Sequence, residues 1–368
     1  MPGQAVSRRQ LRFALIVTNL AGGGAEKAML NVATLLAARG SSVDMVLLED
    51  KRDHEMPAGV QTVLVTPAGR SVSHGLIGTR HAAWRLRRLL NAGKGYDLIV
   101  STLPFADEVA LQAQLPRHWC RIANTLSAEV ATLAQHDVRK SQRRARRYQR
   151  NYRGRRLIAV SDGVASDLTG PLRIEGARIE TIVNPFDFAA IRAAAKQRVP
   201  LPEEPYALHV GRFIGQKRHD LLLAAWSRLP QAPRLVLLTA PDPGLSALVD
   251  RFGLRARVTV AGFQANPYPW MARARLLVLS SDHEGMPNVL VEALACGTPV
   301  LSTDCPSGPR EILGRDAPRC LVPVNDAQAL ASGIARSLTD PVDPAKVDLS
   351  RFDHQAVAGH YERLAAEP

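Results

Sequence analysis

Residues 276–304 read LLVLSSDHEGMPNVLVEALACGTPVLSTD, and this stretch decides the fold. Its first part, Leu276–Ser280, is an apolar run that suits a strand covered on both faces, as in a parallel sheet. The residues at 283–286 then predict a loop. A buried strand followed by such a loop is typical of the first half of a βαβ unit.

The second half of the stretch predicts a helix and another strand. Asn288–Cys296 is mostly apolar, and Pro287 stands at the first helical position, where its missing N–H costs nothing. Gly297 provides a left-handed stop just past the helix. Thr298–Ser302 has the composition of the next buried strand, so the stretch predicts one complete βαβ unit.

Two carboxylates interrupt this apolar unit. Glu284 lies in the predicted loop and Glu292 in the predicted helix. An eight-residue offset in continuous helix would span roughly 12 Å, whereas a retaining glycosidase needs carboxyl groups about 5–5.5 Å apart. The spacing instead suits a long polar ligand held at two points, with the amides of Gly285, Met286 and Asn288 free to bind a diphosphate at a helix N-terminus. For Glu292 alone, a surface position is the simpler interpretation, but its apolar neighbours favour a site.

The beginning of the chain predicts a doubly wound parallel sheet. Phe13–Thr18 and Val43–Leu48 have the pattern of buried strands, and Glu26–Ala38 has that of the helix between them. The three glycines at 22–24 do not form G-x-G-x-x-G, so no dinucleotide fingerprint is indicated. From the pattern alone, this turn is as consistent with a flexible connection as with a ligand-binding loop. Further along, a short strand is predicted at 122–124.

A second domain is predicted to begin at the strand Tyr206–Val210, after a linker at 198–205 that is rich in Pro and Glu. The turn that follows reads GRFIGQK and places Arg212 and Lys217 at the carboxyl end of this strand. Two cations in such a position suit a diphosphate, and arginine adds a bidentate donor. For two isolated cations a solvated loop would otherwise be the default interpretation.

The composition narrows the class of protein. The 368 residues, 46% of them apolar, allow one or two domains with a sizeable core. The four cysteines are scattered, and neither the histidines nor the aspartates have the spacing of a metal site, so we expect a reducing compartment and no metal. Arginines before Phe13–Val17 resemble a signal peptide, but the apolar run is short. No stretch approaches the roughly 20 apolar residues of a membrane span.

The net charge of +13 is concentrated in one segment. Residues 139–156 contain ten basic residues and no acid, at spacings that form stripes on a helix. A solvated helix face is the usual interpretation, but this excess of charge favours an anionic partner. Anionic lipid headgroups are the leading candidate, because each nearby cation contributes about 1 kcal/mol at a charged leaflet. Nucleic acid is the rival, although no aromatic platform accompanies the segment. The predicted membrane patch comprises Arg139, Lys140, Arg143, Arg144, Arg146 and Arg147.

The string from Glu284 to Val300 closely resembles the E-x7-E signature of the retaining glycosyltransferases with the GT-B fold, family 4. The turn at 211–217 resembles the donor-phosphate motif of the same family and precedes Glu284 by about 70 residues. The glycine loop before Glu26 and the dipeptide at 184–185 are further family markers. The resemblance covers nearly the whole chain and implies an α/β protein with two Rossmann-like, doubly wound domains that face a central cleft.

The resemblance also implies an acceptor domain over residues 1–197, a nucleotide-sugar donor domain over 198–351, and a C-terminal helix at 352–368 that packs back on the first domain. It implies that Glu284 faces the donor sugar and that Glu292 holds the ribose hydroxyls. The residues expected to bind the donor are Gly211, Arg212, Lys217, Phe263, Glu284, Gly285, Met286, Pro287, Asn288, Val289 and Glu292, of which Glu284, Arg212 and Lys217 are the catalytic candidates. Those expected in the cleft loops of the acceptor domain are Gly23, Gly24, Glu26 and Asn124, where Asn124 stands in place of the histidine of many family members.

The expected activity is therefore transfer of a sugar from a nucleotide diphosphate to a hydroxyl group, with retention of anomeric configuration and without a cofactor or metal. With the basic segment, the expected acceptor is a cell-envelope glycan or lipid-linked saccharide, as in lipopolysaccharide, capsule or exopolysaccharide biosynthesis. The protein would then lie in the cytoplasm, on the cytoplasmic face of the inner membrane. A GT-B phosphorylase or nucleotide-sugar epimerase is the alternative. A nucleic-acid-binding module fits less well, because both donor motifs are intact.

Overall fold

The computed structural model describes residues 9–21, 23–93 and 95–367. The extreme ends of the predicted domain ranges, residues 1–8 and Pro368, lie outside the described residues, as does the first glycine of the predicted loop, Gly22.

The first half of the chain forms a seven-stranded parallel sheet. Its strands are β1 (Arg12–Val17), β2 (Ser42–Leu47), β3 (Val60–Leu64), β4 (Leu98–Thr102), β5 (His118–Ile122), β6 (Arg156–Ala159) and β7 (Arg178–Thr181). They lie in the order β3-β2-β1-β4-β5-β6-β7, with Leu15 of β1 between Met45 and Val100 of its neighbours. The winding reverses between β1 and β4, and ligands of such sheets bind at the carboxyl ends of the strands beside this point.

The second half forms a six-stranded parallel sheet. Its strands are β8 (Tyr206–Val210), β9 (Arg234–Leu238), β10 (Val258–Val260), β11 (Leu276–Leu279), β12 (Val300–Thr303) and β13 (Leu321–Val322). The order is β10-β9-β8-β11-β12-β13, so the winding reverses between β8 and β11. Two doubly wound parallel sheets confirm the predicted α/β class with two Rossmann-like domains.

Helices cover the faces of both sheets. In the first half they are α1 (Gly24–Ala38), α2 (Leu76–Asn91), α3 (Pro104–Ala113), α4 (Leu126–Ala134), α5 (Val138–Tyr152), α6 (Asp162–Thr169) and α7 (Phe188–Ala194). In the second they are α8 (His219–Ser227), α9 (Pro243–Arg251), α10 (Tyr268–Arg273), α11 (Asn288–Ala295), α12 (Pro309–Leu313), α13 (Ala327–Thr339) and α14 (His354–Ala366). Side-chain caps start several of them; the Ser161 hydroxyl, for example, accepts the amide of Val164 at 3.1 Å.

Three local predictions require correction. The short strand predicted at 122–124 is β5, which already ends at Ile122. The prediction lies too late in the chain because β5 contains the fully buried Arg121 and the polar His118, so it does not read as an apolar run. Pro287 is not the first helical residue of α11 but the residue before it, since its ψ of 87° is not helical. The strand predicted at 298–302 begins at Val300, because the amide of Thr298 still caps the helix by donating to Ala293 O.

The C-terminal helix α14 contacts the first domain. The Arg39 guanidinium, just past α1, donates to both carboxylate oxygens of Glu362 at 2.6 and 3.0 Å. Just past the C-terminal end of the helix, Arg178 of β7 is paired with Glu367 at 2.7 Å. The helix α7, which lies within the range predicted for the first domain, packs on α10 and α11, and nearby Asn266 donates to Ala194 O at 3.1 Å. The chain thus crosses between the two sheets at two places.

Within the described part of the chain, no helix has both the length and the apolar character that a bilayer crossing requires.

The packing of α13 generates a prediction about stability. A Cβ atom on Gly333 would lie 2.8 Å from a methyl carbon of Val322 and 3.1 Å from one of Leu301. Gly333→Leu should therefore overpack the core and lower the free energy of unfolding by about 1–3 kcal/mol. Ala335→Leu, on the exposed side of the same helix, should change it by less than about 0.5 kcal/mol. Urea unfolding followed by circular dichroism compares the two, and equal midpoints would contradict the described packing.

Candidate active site

The two motifs predicted to bind the donor lie side by side. The turn at 211–217 follows β8 and the loop at 280–287 follows β11, and these strands are neighbours at the point where the winding reverses. The amide of Asp282 donates to Gln216 O at 2.9 Å, and the Gln216 side chain donates back to His283 O at 2.7 Å. The Ser280 hydroxyl donates to Lys217 O at 2.8 Å. The two segments therefore form one surface.

An ion pair joins the two motifs at the centre of this surface. Lys217 Nζ lies 2.6 Å from Glu284 Oε1, and the Ser281 hydroxyl donates to the same oxygen at 2.6 Å. Both charged side chains are largely buried, with 18% and 8% of their surface exposed. An ammonium group has three donors, so Lys217 can hold Glu284 and still donate to an anion in the cleft.

Glu292 is held by a cation from the other domain. Lys27 Nζ of α1 lies 2.8 Å from Glu292 Oε1, and the Tyr268 hydroxyl lies 3.1 Å from Lys27 Nζ and 3.2 Å from the same carboxylate oxygen. Burial lowers the pKa of Lys27, but the Glu292 carboxylate and Tyr268 raise it by more, so the net shift is upward. Glu292 is only 4% exposed, and the alternative of a surface position for this residue is wrong.

Glu26 of the first-domain loop lies within electrostatic range of Arg212 of the donor motif. Burial raises the pKa of Glu26, and the nearby guanidinium groups of Arg212 and Arg121 partly oppose this shift. The Glu26 carboxylate folds over Gly23, and a Cβ atom there would lie 1.9 Å from Glu26 Oε2, so a larger residue would displace this carboxylate. Arg212 itself is exposed. A cation of the donor motif thus acts electrostatically on an acid of the first-domain loop.

The loop before α11 also packs tightly against the first domain. A Cβ atom on Gly285 would lie 2.1 Å from Ala123 O and 2.9 Å from Asn124 Cα, which only glycine avoids. The amide and hydroxyl of Thr125 both donate to Glu284 O, at 3.2 and 2.5 Å. The carboxylate of Glu311 accepts two amides at the start of α6, at 2.9 and 2.8 Å. These contacts hold the loop of Glu284 and the helix α12 against the first domain.

Asn288, the first residue of α11, is fixed by a chain of hydrogen bonds. Its Oδ1 accepts from Asn184 at 2.6 Å and its Nδ2 donates to Gly24 O at 3.4 Å. Asn184 in turn accepts a hydrogen bond from the fully buried guanidinium of Arg121. At this helix end the first amides have no acceptor within the helix, and those of Asn288 and Val289 are in that position. The buried Arg121 thus supports the helix end through Asn184.

Other predicted residues have less direct positions. The side-chain nitrogen of Asn124 donates to Glu129 Oε1 of α4 at 2.7 Å, so this nitrogen is engaged within the first domain, whereas Oδ1 is buried without a hydrogen-bond partner among the residues that the structure describes. Met286 is buried beneath the loop. Phe263 is 63% exposed in the loop after the edge strand β10, two strands away from β8, and no described contact joins it to Lys217 or Glu284.

Three residues that support the site, Lys27, Tyr268 and Arg121, were not predicted from the sequence. Lys27 directly follows the predicted loop residue Glu26, and its charge next to a candidate site was the available signal. Tyr268 and Arg121 carry no such signal, because each lies in a segment that reads as ordinary structure. Among the described residues, no group of three or more His, Cys, Asp or Glu side chains could hold a metal ion.

The ion pair between Lys27 and Glu292 generates a second prediction. Removing the ammonium in Lys27→Met leaves a buried carboxylate short of a donor and should lower the free energy of unfolding by about 1–3 kcal/mol. In a Glu292→Gln background, which removes the buried charge, Lys27→Met should lower the free energy of unfolding by less. A double-mutant cycle should therefore show a coupling energy of about 0.5–3 kcal/mol between the two residues. Lys346→Met, at an exposed 3-10 turn, is the control. Additive effects of the two site substitutions, measured by chemical unfolding, would refute the contact.

Two family models match consecutive parts of the chain. The model described as Glycosyltransferase Family 4 matches residues 22–190, and the one described as Glycosyl transferases group 1 matches residues 204–340. Together they take in every strand except β1 and every residue of the site described above.

Curated relatives align with part of the chain. A Campylobacter jejuni protein is 32% identical over 210 residues, which cover 55% of this chain and 57% of the relative; its name is N-acetylgalactosamine-N,N'-diacetylbacillosaminyl-diphospho-undecaprenol 4-alpha-N-acetylgalactosaminyltransferase. A lipopolysaccharide core biosynthesis glycosyltransferase of Rhizobium meliloti, LpsE, is 29% identical over 189 residues, covering 51% of this chain and 55% of the relative. The chain thus spans about half the length of the curated relatives it matches.

Solved structures match over nearly the full length. Sucrose-phosphate synthase from Thermosynechococcus elongatus has a TM-score of 0.76 at 22% identity, covering 96% of this chain and 98% of that one. The Anabaena protein HepE, solved with UDP, has a TM-score of 0.70 at 20% identity, covering 96% and 99%. At these identities the likeness shows the fold. Since both halves match glycosyltransferase models and the whole chain has this fold, the chain belongs to the GT-B glycosyltransferases of family 4.

Proposed function

We propose that the protein is a retaining glycosyltransferase that moves a sugar from a nucleotide diphosphate to a hydroxyl group of a cell-envelope glycan or a lipid-linked saccharide. The observation that carries the proposal is the arrangement of the two acids of the E-x7-E string. Glu284 is paired with a cation of its own domain, and Glu292 with a cation of the other domain. They form two separate anchor points at one cleft, as a long donor requires.

The chemical task in this transfer is to stabilise negative charge on the departing diphosphate. Lys217 and the first amides of α11 supply positive charge and donors for it in a largely buried setting, where electrostatic interactions are strong, and the exposed Arg212 adds a second cation. Glu284 is held by Lys217 and Ser281, and this orients its carboxylate to accept from a hydroxyl of the donor sugar. We assign it this orienting role and not that of a covalent nucleophile.

The ribose of the donor is assigned to Glu292. Its Oε1 accepts from Lys27 and Tyr268, and Oε2 is the oxygen that we assign to the ribose hydroxyls. This assignment puts the donor in the second domain, over residues 198–351. We assign Gly23, Gly24 and Glu26 of the first domain to the opposite wall, and that wall to the acceptor. The proposal needs no metal.

The acceptor class and the location rest on charge and on the relatives. The curated names describe a saccharide on diphospho-undecaprenol in one relative and lipopolysaccharide core biosynthesis in another. In α5 all six cations of the predicted patch are exposed, although Arg147 forms an ion pair with Glu108. We propose that this patch holds the protein at an anionic membrane surface, on the cytoplasmic face of the inner membrane, and that it does not bind nucleic acid.

Donor binding provides the first test. A panel of nucleotide diphosphates and nucleotide sugars, screened by thermal shift, identifies the donor, and calorimetry then gives its affinity. Lys217→Ala and Glu292→Gln should each weaken binding about 10- to 100-fold, the equivalent of one hydrogen bond to a charged group. Arg255→Ala, which removes an exposed ion pair of the same domain, should not change the affinity. Unchanged affinity in both site variants would refute the donor site.

Product analysis provides the second test and separates the alternatives. With donor, a lipid-linked saccharide and EDTA, we expect release of nucleoside diphosphate that depends on the acceptor, and a product with the anomeric configuration of the donor. Donor cleavage that depends on phosphate alone would identify a phosphorylase, and isomerised donor an epimerase. Activity that is lost in EDTA and restored by Mg²⁺ would contradict metal independence. Tight, strongly salt-dependent RNA binding without affinity for donor would favour the nucleic-acid module.

A further inference from the structure

The helix α2 exposes an unusual set of large apolar side chains. Leu76 is 80% exposed, Ile77 85%, Trp84 57% and Leu89 41%. Seven large hydrophobic side chains are exposed in the described part of the chain, and four of them lie on this one helix. The opposite side of α2 is well packed, because Ala82, Ala83, Leu86 and Leu90 are buried in the core of the first domain. The exposed residues are therefore not required for the fold.

The same face of α2 is basic and has no acidic residue. Arg80, Arg87 and Arg88 are exposed beside the apolar side chains, and the helix contains no Asp or Glu. Ile77 and Trp84 are seven residues apart, which places them two turns apart on one side of the helix. The guanidinium of Arg88 lies 5.7 Å from the centre of the Trp84 ring. Apolar and aromatic residues flanked by arginines are typical of helices that lie in a membrane interface.

The basic patch of α5 lies on the same layer of the first domain. Helix α3 contacts both α5 and the start of α2. His74, just before α2, stacks on Phe105 of α3 with ring centres 4.0 Å apart, and Arg147 of α5 is paired with Glu108 of α3. The connections from β3 to β4, β4 to β5 and β5 to β6 all move in one direction along the sheet. Right-handed crossovers then place their helices on one face. The two surfaces can therefore meet one planar partner.

The apolar end of α2 lies on the cleft side of this layer. Phe105 is the second residue of α3, directly after the carboxyl end of β4, and its stacking on His74 brings the start of α2 to the same edge of the sheet. This is the edge at which Gly23 and Glu26 follow β1. Leu76 and Ile77 thus lie near the wall to which the acceptor is assigned, whereas Leu89 lies toward the opposite edge.

We infer that the exposed face of α2 inserts into the headgroup region of an anionic phospholipid bilayer, with Leu76, Ile77 and Trp84 as apolar anchors beside the arginines of α2 and α5. This inference rests on the proposed function, because insertion of α2 would bring the cleft to an acceptor that is anchored in the same bilayer. Charge decides between a bilayer and a second copy of the chain. A symmetric contact would oppose this acid-free basic face to itself, whereas anionic headgroups complement it.

The first experiment measures binding to vesicles without donor or acceptor. The full chain should sediment with vesicles of 30% phosphatidylglycerol and 70% phosphatidylcholine, and far less with phosphatidylcholine alone. The double variant Leu76→Ser, Ile77→Ser should lower the partition coefficient on anionic vesicles at least tenfold. The control Phe263→Ser removes a comparably exposed apolar side chain from the second domain and should bind like the wild type. A double variant that also binds like the wild type would overturn the inference.

Tryptophan fluorescence provides a second readout that reports insertion directly. The chain has four tryptophans, and Trp119, Trp226 and Trp270 are buried, so Trp84 is the exposed one. Anionic vesicles should shift its emission to shorter wavelength, and brominated lipids should quench it; both effects should be lost in Trp84→Phe. Sedimentation without quenching would show attachment by charge alone and would overturn insertion by α2. Self-association through α2 would overturn insertion as well. It would appear in sedimentation velocity without vesicles as a wild-type dimer that the Leu76→Ser, Ile77→Ser variant converts to a monomer.

Donor affinity separates this inference from the proposed function. The Leu76, Ile77 double variant should keep the wild-type affinity for the nucleotide sugar, because neither side chain contacts the donor motifs. If wild-type protein fails to bind vesicles but binds donor, the membrane surface is refuted and the transferase proposal stands. If it binds vesicles through α2 but no nucleotide sugar, the reverse holds. Charge reversal at Arg143, Arg144 and Arg146 should also lower vesicle binding without altering donor affinity, and unaltered vesicle binding would remove α5 from the surface.

Discussion

The ion pair between Lys27 and Glu292 is the interaction on which the rest of the site depends. It joins the first helix of one domain to the central helix of the other, and both groups are mostly removed from water. Burying such a pair costs desolvation energy that is recovered only with good geometry and further hydrogen bonds. Tyr268 supplies one of these at 3.2 Å. The pair is therefore better understood as a device that sets the position of Glu292 than as a large source of stability.

The domain contacts and the candidate site use the same residues. Thr125 of the first domain holds the backbone of Glu284, Asn184 holds the side chain of Asn288, and Lys27 holds the carboxylate of Glu292. The carboxylate whose Oε2 we assign to the donor ribose is held through Oε1 by a cation of the other domain. The position of Glu292 therefore depends on how the two domains are arranged.

The parts of the fold that follow from local pattern were predictable. Apolar runs such as Leu276–Leu279 identify buried parallel strands because both faces are covered, and Gly297, with a φ of +81°, ends α11 as expected. β5 was misplaced because Arg121 within it is charged, yet it is buried between polar partners supplied by β4 and by Asn184. A local sequence pattern does not indicate that an arginine is buried when its hydrogen-bond partners are distant in sequence.

By itself, the sequence determined the α/β class, the two sheets and the motifs that carry Glu284, Lys217 and Glu292, since each depends on residues close together in the chain. Only the tertiary structure decided that Lys217 meets Glu284 across 67 positions and that Lys27 meets Glu292 across 265. It also decided that α2 leaves Leu76 and Ile77 uncovered. The physical reason is that ion pairs and exposed faces depend on which strands are neighbours and on how the domains close, and residue spacing does not encode either.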